Sequence, residues 1–196
     1  MSSYEFRALA REQMKDRYWM VFIAALIVTA VSAGTTPVFF IISGPLTVGL
    51  SYYLLDFIEN KNSGDRFELL VDGFKKSLVN SIVANLLSMV FIFLWSLLFV
   101  IPGIIKALAY SMHPYIIADN PTIDAMEALR QSEEMMRGNK TRLLALYLSF
   151  IGWFILSAFT FGIGFFFLMP YVQTSVTNFY VDLRGPRVTY AEFSEK

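Results

Sequence analysis

The chain has no cysteine, a single histidine (His113) and few charges; acidic and basic residues make up 16% of its 196 positions, against roughly 25% in an ordinary soluble domain. Without cysteine there are no disulfides, thiolate metal ligands or cysteine nucleophiles, and nothing follows about redox compartment. One histidine, and no acid inside any long apolar run, leave no HExxH motif, no paired intramembrane aspartates and no Ser-His-Asp set. No catalytic residue, metal site or cofactor is therefore expected, and loop carboxylates at the inner membrane interface are the one route left to an enzyme. Sixteen basic residues balance sixteen acidic ones, so there is no basic footprint for nucleic acid, which is set aside as a partner. What the chain has in abundance is apolar surface: 56% hydrophobic and 16% aromatic residues with a mean hydropathy of +0.52. That is the composition of a membrane protein.

Three stretches dominate: Tyr18 to Leu55 (38 residues), Ser77 to Ala118 (42 residues, interrupted by Lys106 and His113) and Leu143 to Val181 (39 residues). A helix of about 40 residues would be about 60 Å long, whereas a bilayer core of about 30 Å takes about 20 residues. Each stretch must fold back. Helix breakers stand near the middles, at Gly34-Thr35-Thr36-Pro37, Pro102-Gly103 and Gly162-Ile163-Gly164. The glycines are too scattered for a phosphate loop, and turning the chain is their expected job. The fold class is all-α: a polytopic membrane protein with six transmembrane helices in three hairpins.

Charged amphipathic segments precede the hairpins, at Tyr4 to Arg17, Asp65 to Lys76 and Pro121 to Arg137. The expected organisation is one membrane domain of three similar units, 1–58, 59–119 and 120–182, followed by a cytoplasmic tail, 183–196. Each unit is an interfacial helix plus two spans. Pro45 stands 11 residues before Asp56 and Pro170 stands 12 before Asp182, which aligns the second spans of units one and three. Fifteen of the sixteen Lys and Arg residues lie in the N-terminal segment, the loops 56–76 and 119–142, or the tail. The positive-inside rule then puts both termini in the cytoplasm. Val31-Ser32-Ala33 resembles a signal-peptide cleavage site, but Glu5, Glu12 and Asp16 precede the apolar run and it resumes after Pro37, so retention as a first span is expected.

The third amphipathic segment reads as a helix from Pro121 to about Arg137, capped by Asn120, with Asp124 in its first turn and Gly138 just past its end. Ile123, Met126, Leu129 and Met136 form its apolar side, and Glu127, Arg130, Glu133, Glu134 and Arg137 its charged one. It is expected on the inner membrane surface, under the bundle, or as a docking helix for a partner.

Polar residues within the spans fall into stripes: Ser81, Asn85 and Ser88; Ser43, Thr47 and Ser51; Pro170, Gln173, Thr174, Thr177 and Asn178. Such faces either bond helix to helix, at about 0.6 kcal/mol per bond, or line a path for a substrate. Asn85, Gln173, Thr174 and Asn178 are the candidate binding residues among them. Lys106, Tyr110 and His113 share a face at i, i+4 and i+7. Lys106 lies about 5 Å past the Pro102-Gly103 turn at 1.5 Å per residue, so it either anchors at the outer headgroups or forms an inward polar pair with Tyr110. Lys106 and Tyr110 complete the list of substrate- or lipid-binding candidates, and His113 reads as a locally satisfied residue.

The stretches IPGIIKALAYSMHPYIIADNP, EALRQSEEMMRGNK, LSFIGWFILSAFTFGIGFFFLMPYVQTSVTNFYVDL and GPLTVGLSYYLLDF closely resemble a bacterial integral-membrane family, domain of unknown function 975. The resemblance extends over essentially the whole chain, with matches at Pro102, Gly103, Lys106, Tyr110, Pro114, Tyr115, Asp119, Pro121, Gly138, Lys140, Gly152, Trp153, Gly162, Gly164, Pro170 and Tyr171. His113 stands where a small or hydroxylated residue is usual, so a mechanism built on it would not be the family's. The resemblance implies a multi-pass protein of the bacterial cytoplasmic membrane, distantly similar to the membrane domains of some glycerophosphodiester phosphodiesterases, and brings no activity with it. The expected function is that of a non-catalytic scaffold or accessory protein, partnered by the lipid bilayer and holding a lipid or a second membrane protein. The alternative is a small transporter or channel, or an export or immunity protein for an amphipathic substrate, for which internal repeats and broken helices would be the frame.

Overall fold

A computed structural model of the protein describes residues 2–15, 18–32, 38–59, 66–98, 100–159 and 163–185. Among these residues the fold is all helical, with α1 (Ser3–Met14), α2 (Tyr18–Ser32), α3 (Val38–Glu59), α4 (Leu69–Lys76), α5 (Leu78–Leu98), α6 (Val100–Tyr110), α7 (His113–Asp119), α8 (Ala125–Met135), α9 (Lys140–Leu148), α10 (Ile151–Phe159) and α11 (Ile163–Arg184). Three stretches are long and apolar enough to cross a bilayer: Leu78–Leu97, Val100–Asp119 and Lys140–Phe159. Against the six spans expected, α2 contributes a shorter apolar helix over Tyr18–Val28, and α3 and α11, each 22 residues long, carry polar stripes along their length.

That polarity has a physical reason. Both α3 and α11 run for 22 residues with a proline inside, Pro45 and Pro170. They are the hubs of the packing: α3 touches α2, α4, α5, α7 and α11, and α11 also touches α1, α2, α9 and α10. A helix surrounded by protein can carry hydroxyls and amides because its neighbours satisfy them. The Leu78–Leu97 and Lys140–Phe159 stretches are only 17% and 22% buried, and their surfaces are apolar. Leu97, Val100, Ile101 and Phe159 are each more than 70% exposed, an apolar surface far more continuous than water tolerates on a monomer.

Close approach is secured by glycines. A Cβ on Gly49 would sit 2.1 Å from the Leu70 carbonyl oxygen, and one on Gly73 2.1 Å from that of Pro45, so α3 and α4 meet backbone to backbone. A Cβ on Gly103 would lie 2.0 Å from Ser96 Oγ, which fixes the contact between α5 and α6. Gly103 and Pro102 therefore do not form the hairpin turn expected of them. Pro102 instead occupies the first turn of α6, where an N–H would have no intrahelical acceptor. The other expected turns, Gly34–Pro37 and the site around Gly162, fall wholly or partly outside the described residues.

The amphipathic segments pack onto the apolar helices. α1 opens with a capping box: Glu5 N–H donates to Ser2 Oγ, and Ser2 N–H to the Glu5 carboxylate. Its stripe Phe6, Ala10 and Met14 is buried, with Phe6 edge-on to Phe179 of α11 at 5.3 Å. The third amphipathic helix starts later than its Asn120-Pro121 signal suggests. Asp124, in extended conformation, caps it by accepting from Met126 and Glu127 N–H, while Asn120 accepts from Thr122 Oγ1 in the preceding turn. Ala125, Ala128, Leu129 and Ser132 bury its inner face against α5, α6 and α7.

Candidate functional site

Two of the membrane-length stretches are broken near their middles, at Ser111–Met112 and at Ser149–Phe150. A broken helix leaves carbonyls without N–H partners, and in an apolar setting each must be met by a side chain. At the end of α6 three consecutive carbonyls accept from side chains, the first of them, Leu108 O, also accepting the Ser111 N–H. Ser111 Oγ donates to Leu108 O at 2.8 Å, Ser132 Oγ of α8 donates to Ala109 O at 2.7 Å, and His113 Nδ1 lies 2.7 Å from Tyr110 O. Because a carbonyl only accepts, this contact requires the proton on Nδ1. Ser132 also accepts from Met112 N–H at 3.1 Å, so one buried hydroxyl joins both sides of the break. At the second break Arg7 of α1 donates from Nη1 to Ser149 O at 2.9 Å, with its guanidinium 5.6 Å from the Phe150 ring. Helices α1 and α8 are thus wedges that complete these two broken stretches.

This settles the chemistry around Lys106. Its ammonium pairs with Glu133 of α8 at 2.8 Å and lies 5.5 and 5.4 Å from the rings of Trp95 and Tyr110. Lys106 turns toward a helix that follows it in sequence, and its charge is met by a carboxylate and two aromatic faces. Tyr110 also packs on Phe91 of α5 at 6.1 Å.

The other candidates lie elsewhere and do not converge with Lys106. Asn85 Nδ2 donates to Ser43 Oγ at 2.9 Å, joining α5 to α3. Asn178 and Gln13 exchange two amide hydrogen bonds of 2.7 and 3.1 Å, joining α11 to α1. Thr174 Oγ1 donates back to Pro170 O at 2.8 Å. Gln173 differs, since its Oε1 is buried with no hydrogen-bond partner among the described residues. The polar stripes therefore act mainly as joints between helices.

A further cluster ties three helix ends together. Arg184, at the end of α11, donates from Nη1 to both Asp119 oxygens at 3.1 and 2.8 Å and from Nη2 to Glu59, at the end of α3; Tyr180 OH donates to Asp119 at 2.7 Å. The last residues of α3, α7 and α11 thus meet at one place. Arg142 near the start of α9 pairs with Asp182 at 2.8 Å, near the same end of α11.

A pocket of about 900 Å³ lies between α1, α2, α10 and α11. Its walls are mostly apolar: Trp153 and Leu156 of α10, Phe167, Leu168 and Tyr171 of α11, and Met14 of α1. Tyr18 enters from α2, its hydroxyl donating to Phe167 O at 2.8 Å, one residue from the carbonyl that Pro170 leaves without an N–H. Gly164 and Ser157 hold α10 and α11 close at the far end, where a Cβ on Gly164 would stand 2.8 Å from Ser157 Cα. Arg11 and Lys15 complete the lining, and neither makes an ion pair among the described residues. None of these pocket residues is among the polar stripes. The readable signal is the spacing of Arg7, Arg11 and Lys15, one helical turn apart beside the apolar stripe of α1.

Residues 97–186 match the family model described as "Protein of unknown function (DUF975)". The match supports a domain of unknown function from the end of α5 through α11, a narrower region than the whole-chain resemblance expected, and leaves α1 to α4 outside it. It includes one side of the pocket, Trp153 to Tyr171, and excludes Arg11, Lys15 and Tyr18. No curated protein and no solved structure matches the chain.

Proposed function

We propose that this is a multi-pass protein of the bacterial cytoplasmic membrane that works without catalysis, as a scaffold or accessory protein holding a lipid between α1 and the α10–α11 pair. The observation that carries the reading is the pocket: about 900 Å³ of mostly apolar space next to helices whose outer faces are apolar and exposed. Pockets of this size suit a ligand with a large apolar body. The meeting of Glu59, Asp119 and Arg184 supports a shared side for the ends of the three units, and the clustering of Lys and Arg in the connecting segments supports the cytoplasm as that side. On this reading α2, α3 and α11 span the membrane together with the three more apolar stretches, and membrane kinship with the phosphodiesterase-attached domains is part of the proposal.

The test is native mass spectrometry of protein extracted from its own membrane in polymer-bounded discs. A phospholipid should remain bound, and Leu156→Trp, which adds bulk from an exposed pocket wall, should reduce its occupancy. Protein that retains no lipid under these conditions refutes the reading. A transporter remains the second reading because Gln173 has a buried, unpartnered Oε1 on a proline-containing hub helix. Solute flux through the purified protein in liposomes would favour it.

A further inference from the structure

We infer that the pocket selects an anionic phospholipid, with its phosphate and headgroup against Arg11 and Lys15 and an acyl chain along Trp153, Leu156 and Phe167; this rests on the lipid-holding reading above. Charge is distributed around α1 in a way that supports it. At about 100° per residue, Phe6, Ala10 and Met14 form one stripe, Arg7, Arg11 and Lys15 the next, and Glu5 and Glu12 fall on the far side. The apolar stripe is the one buried against the bundle, so the cationic stripe runs along the edge of that contact, where the pocket opens. No acidic residue is among its described lining residues. Arg7 extends the stripe one turn farther, and its Nε is buried with no hydrogen-bond partner among the described residues.

A zwitterionic headgroup would bring its own ammonium against two cations, whereas an anionic one offers only charge of the complementary sign. Tyr171, a pocket residue that donates from its hydroxyl to Arg7 O at 2.8 Å, fixes α1 over α11 and so fixes the distance between the cations and the apolar slot. An amphiphile with both parts in place is the chemistry this arrangement fits, and the source of that amphiphile is the bilayer leaflet in which the helices stand.

The experiment uses the full-length protein in neutral detergent, titrated with phosphatidylglycerol or phosphatidylcholine of matched chains and read by native mass spectrometry. Phosphatidylglycerol should be preferred by roughly 25-fold, the product of about fivefold for each of two cations near an anionic lipid surface. The double variant Arg11→Gln, Lys15→Gln should bring the preference below about threefold, with phosphatidylglycerol losing far more affinity than phosphatidylcholine. Both side chains are exposed, so folding does not depend on them. Leu156→Trp should weaken both lipids alike. Equal binding of the two lipids by the parent protein overturns the headgroup assignment and leaves the lipid-holding reading standing. Binding of neither overturns both. Displacement of the lipid by soluble glycerophosphoglycerol at equal concentration would overturn the place given to the apolar slot.

Discussion

Ser132→Ala removes a single oxygen, yet it should be among the most damaging small substitutions outside the apolar core. That hydroxyl is fully buried, donates to Ala109 O and accepts from Met112 N–H across the break between α6 and α7. Alanine leaves both backbone groups without a partner where water has no ready access, at about 1–3 kcal/mol each. The gain in helix propensity within α8 returns only about 0.5 kcal/mol. The net loss is about 2–5 kcal/mol, and at roughly 2–4 °C per kcal/mol for a chain of this size the melting temperature in detergent should fall by about 4–20 °C. The matched control is Ser111→Ala, whose hydroxyl donates to a carbonyl, Leu108 O, that already accepts the Ser111 N–H. Its loss should stay below about 1 kcal/mol. Hydrogen exchange supplies a local readout: the Met112 amide should exchange faster in Ser132→Ala and not in Ser111→Ala. A melting temperature within about 1 °C of the parent, or an unchanged Met112 amide, would refute the claim that α8 completes the broken span.

Gly73→Leu places a side chain against Pro45 O, where even a Cβ would come to 2.1 Å, so α4 should detach from α3 and the protein should lose more than about 3 kcal/mol in a denaturant titration. Arg184→Ala removes the cation that bridges Asp119 and Glu59. Because these groups stay about a fifth exposed, the loss should be about 2–4 kcal/mol, under the range for fully buried pairs, and Asp119→Asn should partly restore stability in the Arg184→Ala background. On α8, hydrogen bonds from Arg130 and then Gln131 hold the Glu127 carboxyl down to about 2. A depressed carboxylate adds stability that is present at neutral pH and is lost as pH falls from about 4.5 toward 2. Carbon-detected NMR of Glu127 should therefore show titration near 2, moving toward the ordinary value in Arg130→Gln. Since the chain has no cysteine, Arg66→Cys and Thr122→Cys provide clean labelling sites. Both should react from the cytoplasmic side only.

The amphipathic helices and the polar stripes were legible because both are periodic, and a period is a property of sequence alone. Their partners were not. Lys106 meets a carboxylate 27 positions away, and Asn178 an amide 165 away, and no local pattern encodes which face of one helix meets which face of another. Two local signals misled for definable reasons. Pro102-Gly103 carries turn-forming residues, but proline is equally at home in a helix's first turn, and Gly103 is needed for contact with Ser96. Asn120-Pro121 has the chemistry of a helix start, yet Asp124 accepts from two N–H groups and wins the cap. His113, read in sequence as a locally satisfied residue, is occupied with the Tyr110 carbonyl. The pocket went unread because its apolar walls resemble any lipid-facing surface, and only the cationic spacing on α1 distinguishes it.

The central claim, a membrane protein that holds a lipid against α1, is tested most directly by a photo-crosslinking residue at position 156, irradiated in intact membranes and analysed by mass spectrometry. The account predicts a phospholipid adduct at 156 that weakens in the Arg11→Gln, Lys15→Gln background, with little adduct from the same probe at exposed Val79 on α5 showing that dependence. Adducts to protein alone at 156, or lipid adducts that are the same at both positions and indifferent to Arg11 and Lys15, would contradict it.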